Sequence, residues 1–272
     1  MSTHVLDHIV HLTPPGTVEQ ASESFRKLGF EVIPGGTHAD GRTYNALVSL
    51  SDGVYLELIA FVNSPADPTH RWGTSDPTGW VDYANLGLDR DVAGIVNRRG
   101  EKDGSGTKYN EGVDGGRETP QGKRLEWRVT TPAKGNGVGR LPFFCGDVTP
   151  REWRVPKAGS HSSTAKGVAY VKIFAQSTSE FETLTKQITT VLALPPSNEQ
   201  LPEPIVSPSD SRVVSWPLTT PSPVEDLHPQ LVLVLREDAP KSGIAEVGFW
   251  VDKNKGGIPE SEYGKVVFVP VI

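Results

Sequence analysis

Two apolar runs frame the N-terminal part of the chain: VLDHIVHL at Val5–Leu12 and VYLELIAF at Val54–Phe61. Each has the length and β-branched content of a buried strand. Strand side chains alternate between faces, so Leu6, His8 and Val10 are expected on one side, as are Tyr55, Glu57 and Ile59. After the first run comes the turn TPPG, Thr13–Gly16. Val18, Ala21, Phe25 and Leu28 then recur at helical spacing, which predicts an amphipathic helix over Thr17–Leu28 stopped by Gly29. FEVIPGG predicts a second strand that breaks at Pro34-Gly35-Gly36. Thr43–Leu50 predicts a third, and Ser51-Asp52-Gly53 a hairpin turn into the fourth. The order is β-α-β-β-β.

A similar order returns near the C-terminus. Gly167–Gln176 reads as a strand and Ser179–Leu194 as an amphipathic helix stopped by Pro195-Pro196. Strands follow from Ser211, from Pro229, over Gly243–Asp252 and over Lys265–Ile272. Residue identity between the two ends is low, so the repeat is one of element order. The middle is a weaker copy: a strand over Trp80–Leu88, a short helix over Arg90–Gly100, a charged, Gly-rich loop or exposed hairpin over 101–123, and strands from Arg124 and Leu141. Pro156–Gly167 is the best linker by composition, and Pro195–Pro208 is a second, Pro-rich loop. The expected fold is therefore α+β: repeated βαβββ modules forming cupped, mostly antiparallel sheets with helices on their outer faces. Residues 1–160 would form one domain (modules 1–65 and 66–160), and 161–272 a C-terminal module with extra strands.

Composition narrows the function. The chain has 272 residues, 36% hydrophobic and 22% charged, as expected of a globular protein able to bury a large core. A net charge of −6 argues against general nucleic-acid binding, which needs excess Lys and Arg. No apolar run is long enough for a membrane helix, and the first residues lack the basic and apolar regions of a signal peptide. One cysteine, Cys145, excludes an internal disulfide. A cytoplasmic setting is expected, with a small-molecule partner rather than nucleic acid or membrane, and with a homodimer left open.

Chemistry enters at His8 and Glu57. A Glu inside an apolar strand is rarely buried unless paired or bound to metal. If the two strands are neighbours, imidazole and carboxylate converge, and nitrogen plus oxygen ligation suits zinc, iron, manganese, cobalt or nickel. His11 lies on the opposite face and is expected to pack near the helix. His70 is a weaker candidate, and His4, His38 and His228 read as surface or turn residues. Trp72, Trp80, Trp127 and Trp153 suit core packing or the wall of an apolar pocket. Arg42 suits a solvated loop or a substrate carboxylate or phosphate. Cys145, in an apolar strand, reads as inert. GNGVGR, Gly135–Arg140, lacks the strand and helix of a dinucleotide loop and reads as a hairpin loop. There is no nucleophile elbow, P-loop or His-Glu-x-x-His helix.

LDHIVHL, LGFEVIPGG and YLELIAF together resemble the vicinal oxygen chelate superfamily, and more narrowly its glyoxalase-like proteins. Trp80 opening a strand, RLEWRV, and LPFF before a His-containing loop extend the resemblance over roughly residues 5 to 175. It implies paired βαβββ modules cupped around a small-molecule cavity, with His8 and Glu57 at the first module's two metal positions. At the second module's positions this chain offers only Asp82 or Ala84 and Phe144 or Cys145. In the C-terminal copy Tyr170 stands opposite His8. His161, in GSHSS, is the remaining candidate third ligand, and it or Glu57 is the candidate proton carrier. The expected function is a divalent-metal-dependent enzyme acting on a carbonyl or vicinal-oxygen substrate, as an isomerase, lyase or dioxygenase. Its rival is a non-catalytic protein that sequesters a hydrophobic metabolite in the same cavity.

Overall fold

A computed structural model describes residues 2–119, 122–133, 137–198, 201–207, 210–262 and 264–271. The first apolar run is β1 (Leu6–Thr13), followed by α1 (Val18–Lys27), β2 (Ile33–Thr37), β3 (Thr43–Ser49) and β4 (Tyr55–Phe61). The second module holds β5 (Gly79–Leu86), α2 (Val92–Asp103), β6 (Val113–Glu118), β7 (Arg124–Thr130) and β8 (Phe143–Asp147), with one short turn of helix, α3 (Arg151–Arg154), after it. These strands make one sheet of eight, in the order β2-β3-β4-β1-β5-β8-β7-β6. β1 runs parallel to β4 and antiparallel to β5, while β5 runs parallel to β8. The two modules are thus related by a pseudo-twofold axis between β1 and β5.

One expectation changes here. β2 does not break at Pro34-Gly35-Gly36 but runs through it, with a bulge between Pro34 and Gly36. For the charged, Gly-rich stretch the hairpin alternative holds over the loop: it contains β6, an edge strand paired antiparallel along its length with β7. The sheet curls until its edges meet: His38, just past β2, bridges Arg117 on β6, and the Ala39 amide donates to the Gly116 carbonyl at 2.8 Å. Of the GNGVGR loop, residues 135 and 136 lie outside the described residues; the remainder is a turn.

The C-terminal half contains β9 (Gly167–Ala175), α4 (Thr178–Leu192), β10 (Arg212–Pro217), β11 (Gln230–Leu235), β12 (Gly243–Val251) and β13 (Lys265–Pro270), in the order β10-β11-β9-β12-β13. Pair by pair, its strand directions repeat those of β3-β4-β1-β5-β8. β12 and β13 are thus strands beyond the α4-containing unit of β9, β10 and β11. α1, α2 and α4 lie on the convex faces of the sheets, where Phe25, Val96 and Ile188 join residues of both sheets in one continuous core. The C-terminal cup is filled instead by its own Pro-rich segment, whose Ile205 packs with Tyr170, Val232 and Val267. No described helix is long and apolar enough to cross a membrane.

Candidate functional site

β1 presents His8 on the concave face of the larger sheet, 3% exposed, with its ring stacked on Tyr55 at 4.6 Å. Next to it, Asp7 turns towards α3, where Arg151 and Arg154 both pair with it. Burial pushes the Asp7 carboxyl up, but Arg154, the His8 hydrogen bond and Arg151 outweigh it and hold the group well below the usual carboxylate range. An ionised Asp7 can only accept, so at 2.6 Å the His8 Nδ1–H donates to it. In the neutral ring Nε2 is then the lone-pair nitrogen, and it points into the cup. A second-row carboxylate that fixes the tautomer and orientation of a histidine is the usual partner of a metal-bound or proton-accepting imidazole.

β4 supplies Glu57, 6% exposed, with Oε2 at 3.7 Å from His8 Nε2. Two acceptors facing each other across that gap favour a cation or a proton between them. Asn45 on β3 holds the carboxylate: its amide nitrogen donates to Glu57 Oε1 at 2.6 Å, and its amide oxygen accepts from the Gly36 amide at 3.1 Å. Gly35 makes this possible, because a Cβ there would stand 2.0 Å from the Asn45 amide oxygen. His38 completes the group, with Nε2 at 3.5 Å from Glu57 Oε1 and Nδ1 at 2.7 Å from the Thr43 hydroxyl. Burial lowers its pKa below 6.5, against the pull of Glu57, so its ring favours the neutral form.

The twofold axis locates the second module's equivalents. His8 faces Ala84 across β1 and β5; Tyr55 beside His8 corresponds to Phe143 beside Ala84, which places Cys145 opposite Glu57 in the symmetry. Ala84 is no ligand, and burial pushes the Cys145 thiol far up, which disfavours the thiolate. Among the described residues, no group of three or more His, Cys, Asp and Glu is placed to hold a metal ion. The donor set is the facing pair His8 and Glu57, with His38 on the other carboxylate oxygen. A divalent ion at the facing pair would take two protein donors, fewer than the three of an ordinary catalytic site.

Around this group lies a cavity of about 1070 Å³, with walls that include Trp72, Leu125, Trp127 and Phe143. Arg71 lies over Phe143 and donates from Nε to buried Asp82 at 2.6 Å. The Trp72 indole also donates to Asp82, at 2.9 Å. Arg117 lines the same cavity at 6% exposure.

Of the residues singled out from sequence, His8 and Glu57 come together and His161 stands apart. His161 Nδ1 accepts from the Glu31 amide at 2.9 Å and Nε2 donates to the Ser49 carbonyl at 3.0 Å, so the linker histidine ties loops together outside the cavity. His11 packs edge-on against Phe25 and Trp80 on the convex side. His70 lines the cavity near its rim, with its pKa lowered by burial. Trp80 belongs to the shared core and Trp153 is 40% exposed. Arg42 pairs with Asp67. His38 and Arg117, the residues where the sheet edges meet, carry no sequence signal beyond turn-like and Gly-rich surroundings.

A family model described as a glyoxalase-like domain matches residues 6–191. No curated protein matches the chain. Among solved structures, a hypothetical protein from Staphylococcus aureus is 13% identical, with a TM-score of 0.67 over 98% of this chain and 99% of that one. A mutant of 4-hydroxymandelate synthase from Streptomyces coelicolor is 12% identical, with a TM-score of 0.57 over 93% of this chain and 72% of that one. At such identities these likenesses show the fold alone.

Proposed function

The chain belongs to the glyoxalase-like domain family of the vicinal oxygen chelate superfamily, and on that premise we propose that it is a divalent-metal-dependent enzyme acting on a small molecule with two neighbouring oxygen atoms, one of them a carbonyl. The observation that carries this reading is the His8–Glu57 pair: an imidazole oriented by an ionised carboxylate, its lone pair facing a second carboxylate 3.7 Å away at the floor of a cavity. His8 Nε2 and Glu57 would hold the ion. A bound divalent cation supplies Lewis-acid polarisation of a carbonyl.

The rest of the chemistry belongs to the protein. Asp7 and Tyr55 keep the His8 ring in place, and Asn45 does the same for Glu57. A proton leaving the substrate would pass to Glu57, with His38, favoured neutral by burial, holding its Nε2 at 3.5 Å from Glu57 Oε1. The aromatic walls displace water from the reacting atoms. The family's isomerase, lyase and dioxygenase chemistries are all compatible with this arrangement.

Elemental analysis of purified protein, before and after chelator, tests the reading. It expects one divalent transition metal per chain, lost in His8→Ala and retained in His161→Ala. A metal-free protein that takes up none on titration supports the second reading, a sequestering protein, which is favoured by Ala84 and Cys145 standing where the second module would place donors.

A further inference from the structure

Among the described residues, Arg117 is a buried cation of the cavity with no carboxylate at close range. Its side chain is 6% exposed, and its hydrogen bond is a long one, from Nη2 to the Arg154 carbonyl at 3.4 Å. Among the described residues it forms no ion pair within 4.0 Å. Arg154, also buried, pairs with Asp7 and Asp147, and the partly buried Arg71 pairs with Asp82. Glu57 acts on Arg117 only from a distance, because its oxygens face Asn45, His8 and His38. Burial pulls the Arg117 pKa below the usual guanidinium range, as desolvation of a cation does, yet a guanidinium stays protonated at neutral pH.

An unpaired buried charge is costly, and a rigid fork of N–H donors is the side chain best shaped to take two oxygens of one anion. The backbone fixes this fork in place. Arg117 bridges His38 where the two edges of the curled sheet join, so it shares the cavity with the His38–Glu57–His8 group. Gly115 and Gly116 just before it let β6 lie close on β7; a Cβ at Gly116 would meet the Leu125 carbonyl at 2.5 Å.

We propose that Arg117 is an anion-binding subsite and that the substrate is a small organic acid, its carboxylate or phosphate held by this guanidinium while its neighbouring oxygens lie at His8 and Glu57. The second half of that statement rests on the proposed function; the first does not. The sequence offered Arg42 for this role, but Arg42 is committed to Asp67 near the surface.

The test uses chelator-treated protein, so that it reads Arg117 whether or not metal is the cofactor. Phenylacetate, its neutral isostere phenylacetamide, and phenyl phosphate serve as probes in titration calorimetry. Phenylacetate, phenyl phosphate or both should bind about thirtyfold more tightly than the amide, the scale expected for a buried charge pair, and the tighter of the two anions identifies the group. Arg117→Met should erase the preference and Arg117→Lys should keep part of it, with both variants checked for a native melting transition. Equal affinity for acid and amide, no binding of any probe, or a preference that survives Arg117→Met would overturn the proposal. If Arg117 is only a distant counter-charge for the cavity's carboxylate, its removal will leave anion selectivity unmoved. Metal uptake without anion preference would sink this inference alone, and anion preference without metal uptake would sink only the metal reading.

Discussion

Gly35 shows how much of the site is set by single residues. It carries no chemistry, yet the space it leaves is filled by Asn45, and Asn45 holds Glu57. Gly35→Ala should push the amide away and leave the carboxylate unsupported. The expected result is a 10–100-fold loss of metal affinity, the usual cost of removing a group that orients a ligand, with a melting temperature that falls far less than affinity does. Titration of the variant with a divalent metal, beside its thermal melt, checks this; undiminished affinity would remove Asn45 from the account. His8 and Glu57 were legible because a His and a Glu inside apolar runs break a local pattern. His38 and Arg117 break none. Each reaches the cavity only because two sheet edges remote in sequence meet, and neither composition nor period records that meeting.

At the scale of elements, β4 separates function from stability by alternation. Glu57 faces the cavity, while Leu58 faces the shared core and is fully buried. Leu58→Ala should therefore cost about 2–5 kcal/mol. Glu57→Gln in metal-free protein should be neutral or stabilising, since it discharges a buried carboxylate. Denaturant unfolding of both variants decides it, and a strongly destabilising Glu57→Gln would make Glu57 a structural partner. The first module was readable because its strands are apolar runs bounded by turn residues. β6, VDGGRE, has almost no apolar content and forms because β7 offers it an edge. β2 keeps its glycines inside the strand for the sake of Asn45, where local reasoning takes Pro-Gly-Gly as a stop. The C-terminal half was legible as a repeat of element order, but its strand directions and neighbours were not, because those are properties of the folded sheet.

The whole molecule is two sheets joined by their convex faces, and Asp52 is one of the rivets. From the β3–β4 turn its carboxylate accepts the Val54 amide at 3.0 Å and, across to β9, the Val168 amide at 2.9 Å. Burial outweighs these bonds and raises its pKa from 3.8 to about 6. Between those values the folded protein holds a proton that the unfolded chain has lost, so this group's contribution to stability falls as pH rises through the interval and is lowest above it. Asp7 works the other way: its lowered pKa gives a contribution present above the ordinary carboxylate range and lost in stronger acid. Asp52→Ser should flatten the dependence of unfolding free energy on pH between about 4 and about 6, whatever its effect on absolute stability, and an unchanged slope would place the titration elsewhere. The same joined architecture leaves one open cup and one filled cup, and the open one contains the facing imidazole and carboxylate on which the account depends. Cobalt(II) titration followed by visible absorption tests that pair most directly. The account predicts one saturable site per chain, with the ligand-field bands of mixed nitrogen and oxygen coordination, abolished by His8→Ala and by Glu57→Gln and unaltered by His161→Ala. Bands that persist in both site variants, or a chain that binds no cobalt at all, would contradict it.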